Sequence, residues 1–219
     1  MVIKTFSRRN ALRISVTSAV KTTAILAMPT LLLRPAKAQN NQTLRPLTPS
    51  QTEGPFYPDQ ALQDADFDLL KNGNVSYSGG QPAWVSGLVT DQTGKPVSGA
   101  VVEIWQCDHN GVYRHSRSSG NLPMAFQGFG KVQVGADGRY RFRTIQPAAY
   151  PGRPPHIHYK VKLGKRELLT TQMYIAGETA NDRDFLTRQL GDQQRRLLEA
   201  QFAKGPEGLA AEFSLVVMA

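Results

Sequence analysis

The sequence has little of what usually staples, ligates or anchors a chain. Cys107 is the only cysteine, so no intrachain disulfide can form and stability has to come from packing. There are four histidines, His109, His115, His156 and His158, which leaves few ways to assemble a metal site on imidazole. No internal repeat is present. Acidic side chains are missing altogether from residues 1–38, which hold seven of the 26 basic ones. Setting that segment aside turns a net charge of +9 into 19 bases against 17 acids, or +2. A near-neutral domain lacks the concentrated basic face that a phosphate backbone demands, so nucleic-acid binding is excluded. A long uninterrupted apolar run is also missing. The stretch from Ile14 to Leu33 is broken by Thr17, Ser18 and Lys21, and a lysine near the centre of a membrane span costs about 2.5–3.5 kcal/mol.

What the first 38 residues do have is an order of zones. A basic start around Arg8 and Arg9, a moderately apolar middle, and Ala36-Lys37-Ala38 before Gln39 describe a signal peptide. The paired arginines after Ser7, with Leu12 three residues beyond, resemble the twin-arginine export signal. The expectation is cleavage after Ala38 and an exported protein, periplasmic or secreted, whose precursor meets the twin-arginine export machinery. The remaining 181 residues suit a single domain, 39–219.

Residues 39–51 are polar and proline-punctuated and read as an extended arm. Ala61–Leu70 could form a helical turn or two, and Lys71–Gly80 reads as a loop. Short strand-like runs then follow: Trp84–Thr90, a turn cluster at Asp91–Pro96, and Ala100–Gln106, together expected as a hairpin. Further runs are Lys131–Val134, Arg139–Thr144, His156–Leu163, Leu168–Ile175 and Phe213–Met218. Asp182–Phe202 allows one or two short helices interrupted near Gly191. The fold class expected is all-β, a β-sandwich of mainly antiparallel strands with long loops. Trp84, Trp105, Tyr140 and Phe142 read as core.

The densest chemical signal is Tyr150-Pro-Gly-Arg153-Pro-Pro-His156-Ile-His158. Successive strand side chains alternate in direction, so His156 and His158 share a face and Ile157 takes the other. Two prolines just upstream place the pair near the start of its strand. The loop Cys107–His115 supplies a second half in either of two ways. His115 or His109 would complete three imidazoles, the ligand set of a catalytic zinc hydrolase. Tyr113 would instead bring a phenolate and change the preferred metal. A non-catalytic sandwich module that binds a ligand or partner is the third reading.

Taken together, TEGPFY (52–57), the segment VSGLVTDQTGKPVSGAVVEIWQCDHNGVYRHS, DGRYRFRTIQP, YPGRPPHIH and TTQMYIAGE resemble the intradiol ring-cleavage dioxygenases, the family of the protocatechuate and catechol dioxygenases. The resemblance implies that Tyr113 and Tyr150 are the equatorial and axial tyrosine ligands and that His156 and His158 are the imidazole ligands. One Fe(III) per chain is the implied cofactor. It further implies that Arg153 is catalytic and that Gln172 stands beside the ligands, with Pro55 and Phe56 at the substrate pocket. Tyr150 would also take a substrate proton. The implied reaction is cleavage of a catechol-type ring by dioxygen to a muconate-type diacid. Two phenolates make a hard, anionic ligand set suited to ferric iron. One departure stands out: only Pro151 and Gly152 separate Tyr150 from Arg153, where the catechol and protocatechuate enzymes have a longer loop. The helical amino-terminal dimerisation region of the catechol enzymes is also missing, so assembly as a homo-oligomer stays open.

Overall fold

A computed structural model describes residues 43–59, 62, 64–118 and 125–219. The segment expected to be an export signal lies outside the described residues. The strands are β1 (Lys71–Asn72), β2 (Val75–Ser76), β3 (Pro82–Thr90), β4 (Val101–Trp105), β5 (Phe129–Gln133), β6 (Arg139–Ile145), β7 (His156–Leu163), β8 (Arg166–Ile175), β9 (Glu199–Ala200), β10 (Ala203–Gly205), β11 (Gly208–Glu212) and β12 (Leu215–Val216). One sheet centres on β3, with β6 antiparallel on it and β11 and β12 parallel to successive parts of it. The other runs β5-β4-β7-β8-β9, antiparallel except for β8 with β9. This is the expected all-β sandwich.

Period-two alternation explains which faces are buried. Along β6, Tyr140, Phe142 and Thr144 are buried while Arg139, Arg141 and Arg143 are exposed. Ile157, Tyr159 and Val161 of β7 join Val85, Ile104, Phe142 and Met173 in one core between the sheets. Each large apolar side chain so buried contributes about 1.5–3 kcal/mol. β7 departs from simple alternation because its other face is buried as well. The amino-terminal arm covers that face: Glu53 pairs with Lys160 of β7, whose Nζ lies 4.1 Å from the Tyr57 ring centre, and on neighbouring β8 Gln172 Nε2 donates to the Thr52 carbonyl at 3.1 Å.

Some expectations need correction. β3 and β4 do not form a hairpin; they belong to different sheets. The turn itself exists, because Asp91 Oδ1 accepts from the N–H groups of Thr93 and Lys95 and Val97 N–H returns to the Val89 carbonyl at 3.0 Å. Beyond Val97 the chain crosses to the second sheet instead of pairing back. Trp84 is only half buried and lies under the Arg141 guanidinium, 3.6 Å from the ring centre, on the outside of its sheet. Within 61–70 the described residues are not helical, and the Lys71–Gly80 loop contains the small β1–β2 ladder. The helical expectation near the carboxyl end is met by 3₁₀ turns at Thr179–Arg183 and Thr187–Gln189 and a short α-helix, Asp192–Arg196, which Gly191 precedes as N-cap.

Candidate metal centre

His156 and His158 stand at the start of β7 on the face turned away from the core. Ile157 between them is fully buried on the core side. The loop after β4 brings Tyr113 to them. Asp108 builds that loop: its Oδ1 accepts from Asn110 and Val112 N–H, each at 2.9 Å, and its own N–H donates to the Val112 carbonyl. Gly111 sits in this loop at φ 79°, where a Cβ would come within 3.0 Å of the Ala149 carbonyl oxygen and 3.1 Å of Tyr150 Cβ. Only glycine lets the two tyrosine-bearing segments approach so closely.

Tyr113 Oη lies 3.1 Å from His158 Nε2 and 3.4 Å from His156 Nε2, and the two Nε2 atoms are 3.1 Å apart. Such separations are those between ligand atoms that share one ion at about 2.0–2.2 Å. The tautomer of His156 is fixed. Its Nδ1 faces the Pro154 carbonyl at 2.7 Å, and a carbonyl only accepts, so Nδ1 carries the proton. Burial, with Arg153 adding to it, pushes the His156 imidazolium down to about 3, so the ring is neutral and Nε2 presents a bare lone pair. Burial, then the neighbouring His156, also holds His158 well below its ordinary range, and its Nδ1 has no partner among the described residues. Burial raises the Tyr113 phenol well above its usual value, and burial likewise raises Tyr150, opposed by Arg153. The site therefore gathers neutral donors whose lone pairs converge, and a cation is what would turn the phenols into phenolates. Aromatic rings fix two of the donors in place. Trp105 stacks on His158 at 4.8 Å and 9°, and Phe56 stacks on Tyr113 at 4.5 Å and 13°.

Tyr150 stands edge-on to Tyr113 and tilted to His156, its ring centre 5.4 Å from those of both. The short Tyr150-Pro-Gly-Arg153 connection is a tight turn. Arg153 N–H donates to the Tyr150 carbonyl at 3.0 Å, proline occupies the second position, and Gly152 the third at φ 84°. That pattern is the type II signature, which requires a positive φ where the glycine falls. The turn sets Arg153 beside Tyr150, with Nη1 3.5 Å from Tyr150 Oη. Two cavities of about 230 Å³ flank Tyr150: one is lined by Phe56, Tyr113 and Ser118, the other by Arg153, Arg183 and Asp184.

All the sequence-predicted ligands therefore meet, with Tyr150 half-exposed at the edge and the other three buried. Gln172, opposite His158 on β8, accepts from Arg153 Nη2 at 2.6 Å. Phe56 lines a cavity as expected. Pro55, one residue earlier in the same turn, is exposed and lines neither. The three-histidine zinc alternative is not supported: His115 Nε2 faces Asp59 at 3.5 Å while its Nδ1 accepts from Arg117 N–H, and His109 pairs with Tyr77. Among the described residues no three His, Cys, Asp or Glu side chains converge as a metal site. Trp105, read as core, is buried but packs on His158. Asp184 and Tyr174, both bonded to Arg153, were not singled out by any sequence pattern.

The dioxygenase family model matches residues 52–217. The chain belongs to the intradiol ring-cleavage dioxygenase family. This family member is 39% identical over 140 residues to the protocatechuate 3,4-dioxygenase beta chain of Burkholderia cepacia, covering 57% of each chain. It is 33% identical over 181 residues to 6-chlorohydroxyquinol 1,2-dioxygenase of Cupriavidus pinatubonensis, covering 73% of this chain and 63% of that one. It thus spans about three-fifths of the length of these curated relatives. Among solved structures, the dioxygenase domain of a dioxygenase carbohydrate-binding protein fusion from Streptomyces sp. SirexAA-E matches with a TM-score of 0.61 and 31% identity, over 78% of this chain and 97% of that domain. Catechol 1,2-dioxygenase from Acinetobacter sp. ADP1 matches with a TM-score of 0.59 and 28% identity, over 78% and 62%.

Proposed function

We propose that this chain opens catechol-type rings between the two hydroxylated carbons with dioxygen, using one Fe(III) held by Tyr113, Tyr150, His156 and His158. The observation that carries the reading is the convergence of Tyr113 Oη and two imidazole Nε2 atoms within 3.4 Å, with Tyr150 alongside. Ferric iron bound there would withdraw electron density from a chelated catechol and make the ring reactive toward dioxygen.

The protein's own groups divide the remaining work. Tyr150 is the half-exposed member of the set and borders both cavities, so its oxygen is placed to accept a substrate hydroxyl proton. Arg153 Nη1, next to that oxygen, offers a fixed positive charge to negative charge developing on the ring. Phe56, flat against Tyr113, walls one cavity with an apolar face and keeps water from that side of the phenol. Gln172 ties Arg153 to the amino-terminal arm through the Thr52 carbonyl. We also propose that residues 1–38 direct export by the twin-arginine route and that 39–219 is the mature domain.

The test is direct. The purified protein should contain iron, absorb visible light through phenolate-to-iron charge transfer, and consume dioxygen as catechol becomes a ring-opened diacid. Changing Tyr113 or Tyr150 to Phe should shift or weaken the band. A colourless protein that retains zinc and leaves catechol intact would sink the proposal.

A further inference from the structure

Arg153 is bonded asymmetrically. A guanidinium carries five N–H donors in a planar fork. Nε donates to Asp184 Oδ1 at 2.9 Å, and Nη2 faces Asp184 Oδ2 at 3.2 Å, Gln172 Oε1 at 2.6 Å and Tyr174 Oη at 3.2 Å. Every donor on that edge is committed. Nη1 has Tyr150 Oη as its only partner among the described residues. The fork is therefore held from behind, with its remaining hydrogens turned toward the candidate ligands.

The group that holds it is itself fixed from elsewhere. The Asp184 side chain is 0% exposed and that of Arg153 9%. Asp184 closes the 3₁₀ turn Thr179–Arg183, its N–H donating to the Asn181 carbonyl, and its own carbonyl accepts from Arg188 N–H at 3.0 Å and from Thr187 Oγ1 at 3.2 Å. Arg153, by contrast, leaves the backbone right after Gly152 on a long, freely rotating stem. The wall after β8 thus supplies the orientation that the Tyr150–Arg153 turn cannot.

We propose that Asp184 is a positioning residue for ring cleavage, clamping the Nε–Nη2 edge of Arg153 so that Nη1 addresses substrate bound beside Tyr150. The inference rests on the ring-cleaving function proposed above. Asp184 acts on Arg153 in two opposing ways. Its negative charge offsets the positive charge that Arg153 lends to the reacting ring, and its geometry keeps that charge aimed. Neutralisation alone predicts that removing the carboxylate raises turnover. Aiming predicts a fall, since a misplacement of an ångström costs on the order of 100-fold.

Asp184→Asn in the full, iron-loaded chain, assayed with catechol, separates the two. We expect kcat to fall about 10- to 100-fold, with KM, iron content and visible absorption at wild-type levels. Asp184→Glu should recover part of kcat. In an Arg153→Ala background Asp184→Asn should have no further effect on kcat. A second readout is independent of activity: with diamagnetic Ga(III) loaded in place of iron, the Arg153 Nε–H resonance in nitrogen-15 NMR should exchange slowly with water in the wild type and rapidly in Asp184→Asn. If the Asn variant fails to fold, Asp184→Glu, which keeps the ion pair but displaces the carboxylate, must still show reduced kcat at unchanged KM. A wild-type kcat in a folded Asp184 variant, an equal loss with and without Arg153, or an unaltered Nε–H signal overturns the clamp. A wild type inert toward catechol whose Nε–H signal still depends on Asp184 overturns the ring-cleaving reading and supports the clamp.

Discussion

Replacing Arg153 by Ala should cost this protein stability as well as turnover, and the two losses can be read separately. The substitution removes the bonds to Asp184, Gln172 and Tyr174 at 2.6–3.2 Å and leaves Asp184, whose side chain is wholly buried, with no ion-pair partner among the described residues. Breaking a buried ion pair from one side typically costs about 3–5 kcal/mol, because the remaining charge is stranded. For a domain of this size each kcal/mol lowers Tm by about 2–4 °C, so the loss should be about 6–20 °C. Thermal unfolding followed by circular dichroism measures it. Adding Asp184→Asn to the Arg153→Ala variant removes the stranded charge and should return most of the stability while turnover stays low. Turnover itself should fall by about two to three orders of magnitude, the effect of losing one preorganised charge stabiliser, with iron and colour retained. A Tm unchanged by Arg153→Ala, or a double variant no more stable than the single one, would refute the stranded-charge reasoning.

Three further outcomes follow from the site and the proposed export signal. His156→Ala and His158→Ala should each lose bound iron and His115→Ala should keep it, as metal analysis of the purified variants would report; iron loss in the His115 variant would point to another ligand set. The metal-free protein should lose stability on acidification. His156 is pushed down to about 3 in the fold from 6.5, so between those values the unfolded chain holds a proton that the folded one does not. Stability is then complete above about pH 6.5 and falls below it by about 1.4 kcal/mol per pH unit for this imidazole. Melting curves of wild type and His156→Asn compared at about pH 7 and about pH 5 check the slope, which the substitution should flatten. Lysine in place of both Arg8 and Arg9 should leave precursor in the cytoplasm, and normal export on fractionation would exclude the twin-arginine route.

The sequence alone carried most of the strands and the shared face of His156 and His158 through short-range rules, and it carried the tyrosines of the candidate site through the family resemblance. Period-two alternation puts His156 and His158 on one face whatever lies above them, and the Arg139–Ile145 pattern sorts arginines from aromatics without any knowledge of the partner sheet. Tyr-Pro-Gly-Arg names its own turn, because proline and a positive-φ glycine fit few others. The ordering of Tyr113, Tyr150, Arg153, His156, His158 and Gln172 along the chain was enough for a family resemblance. Tertiary structure decided what depends on long-range closure. The Asp91–Pro96 turn looks identical whether the chain pairs back or crosses to another sheet, and only packing of β4 against β7 settles it. Trp105 and Trp84 are alike as letters, yet one stacks on a histidine and the other lies under an arginine outside its sheet. Asp184, 31 residues from Arg153 in a polar segment, looks like any solvated acid until the chain after β8 folds over the site. Nothing local marks a carboxylate whose partner arrives from another part of the fold.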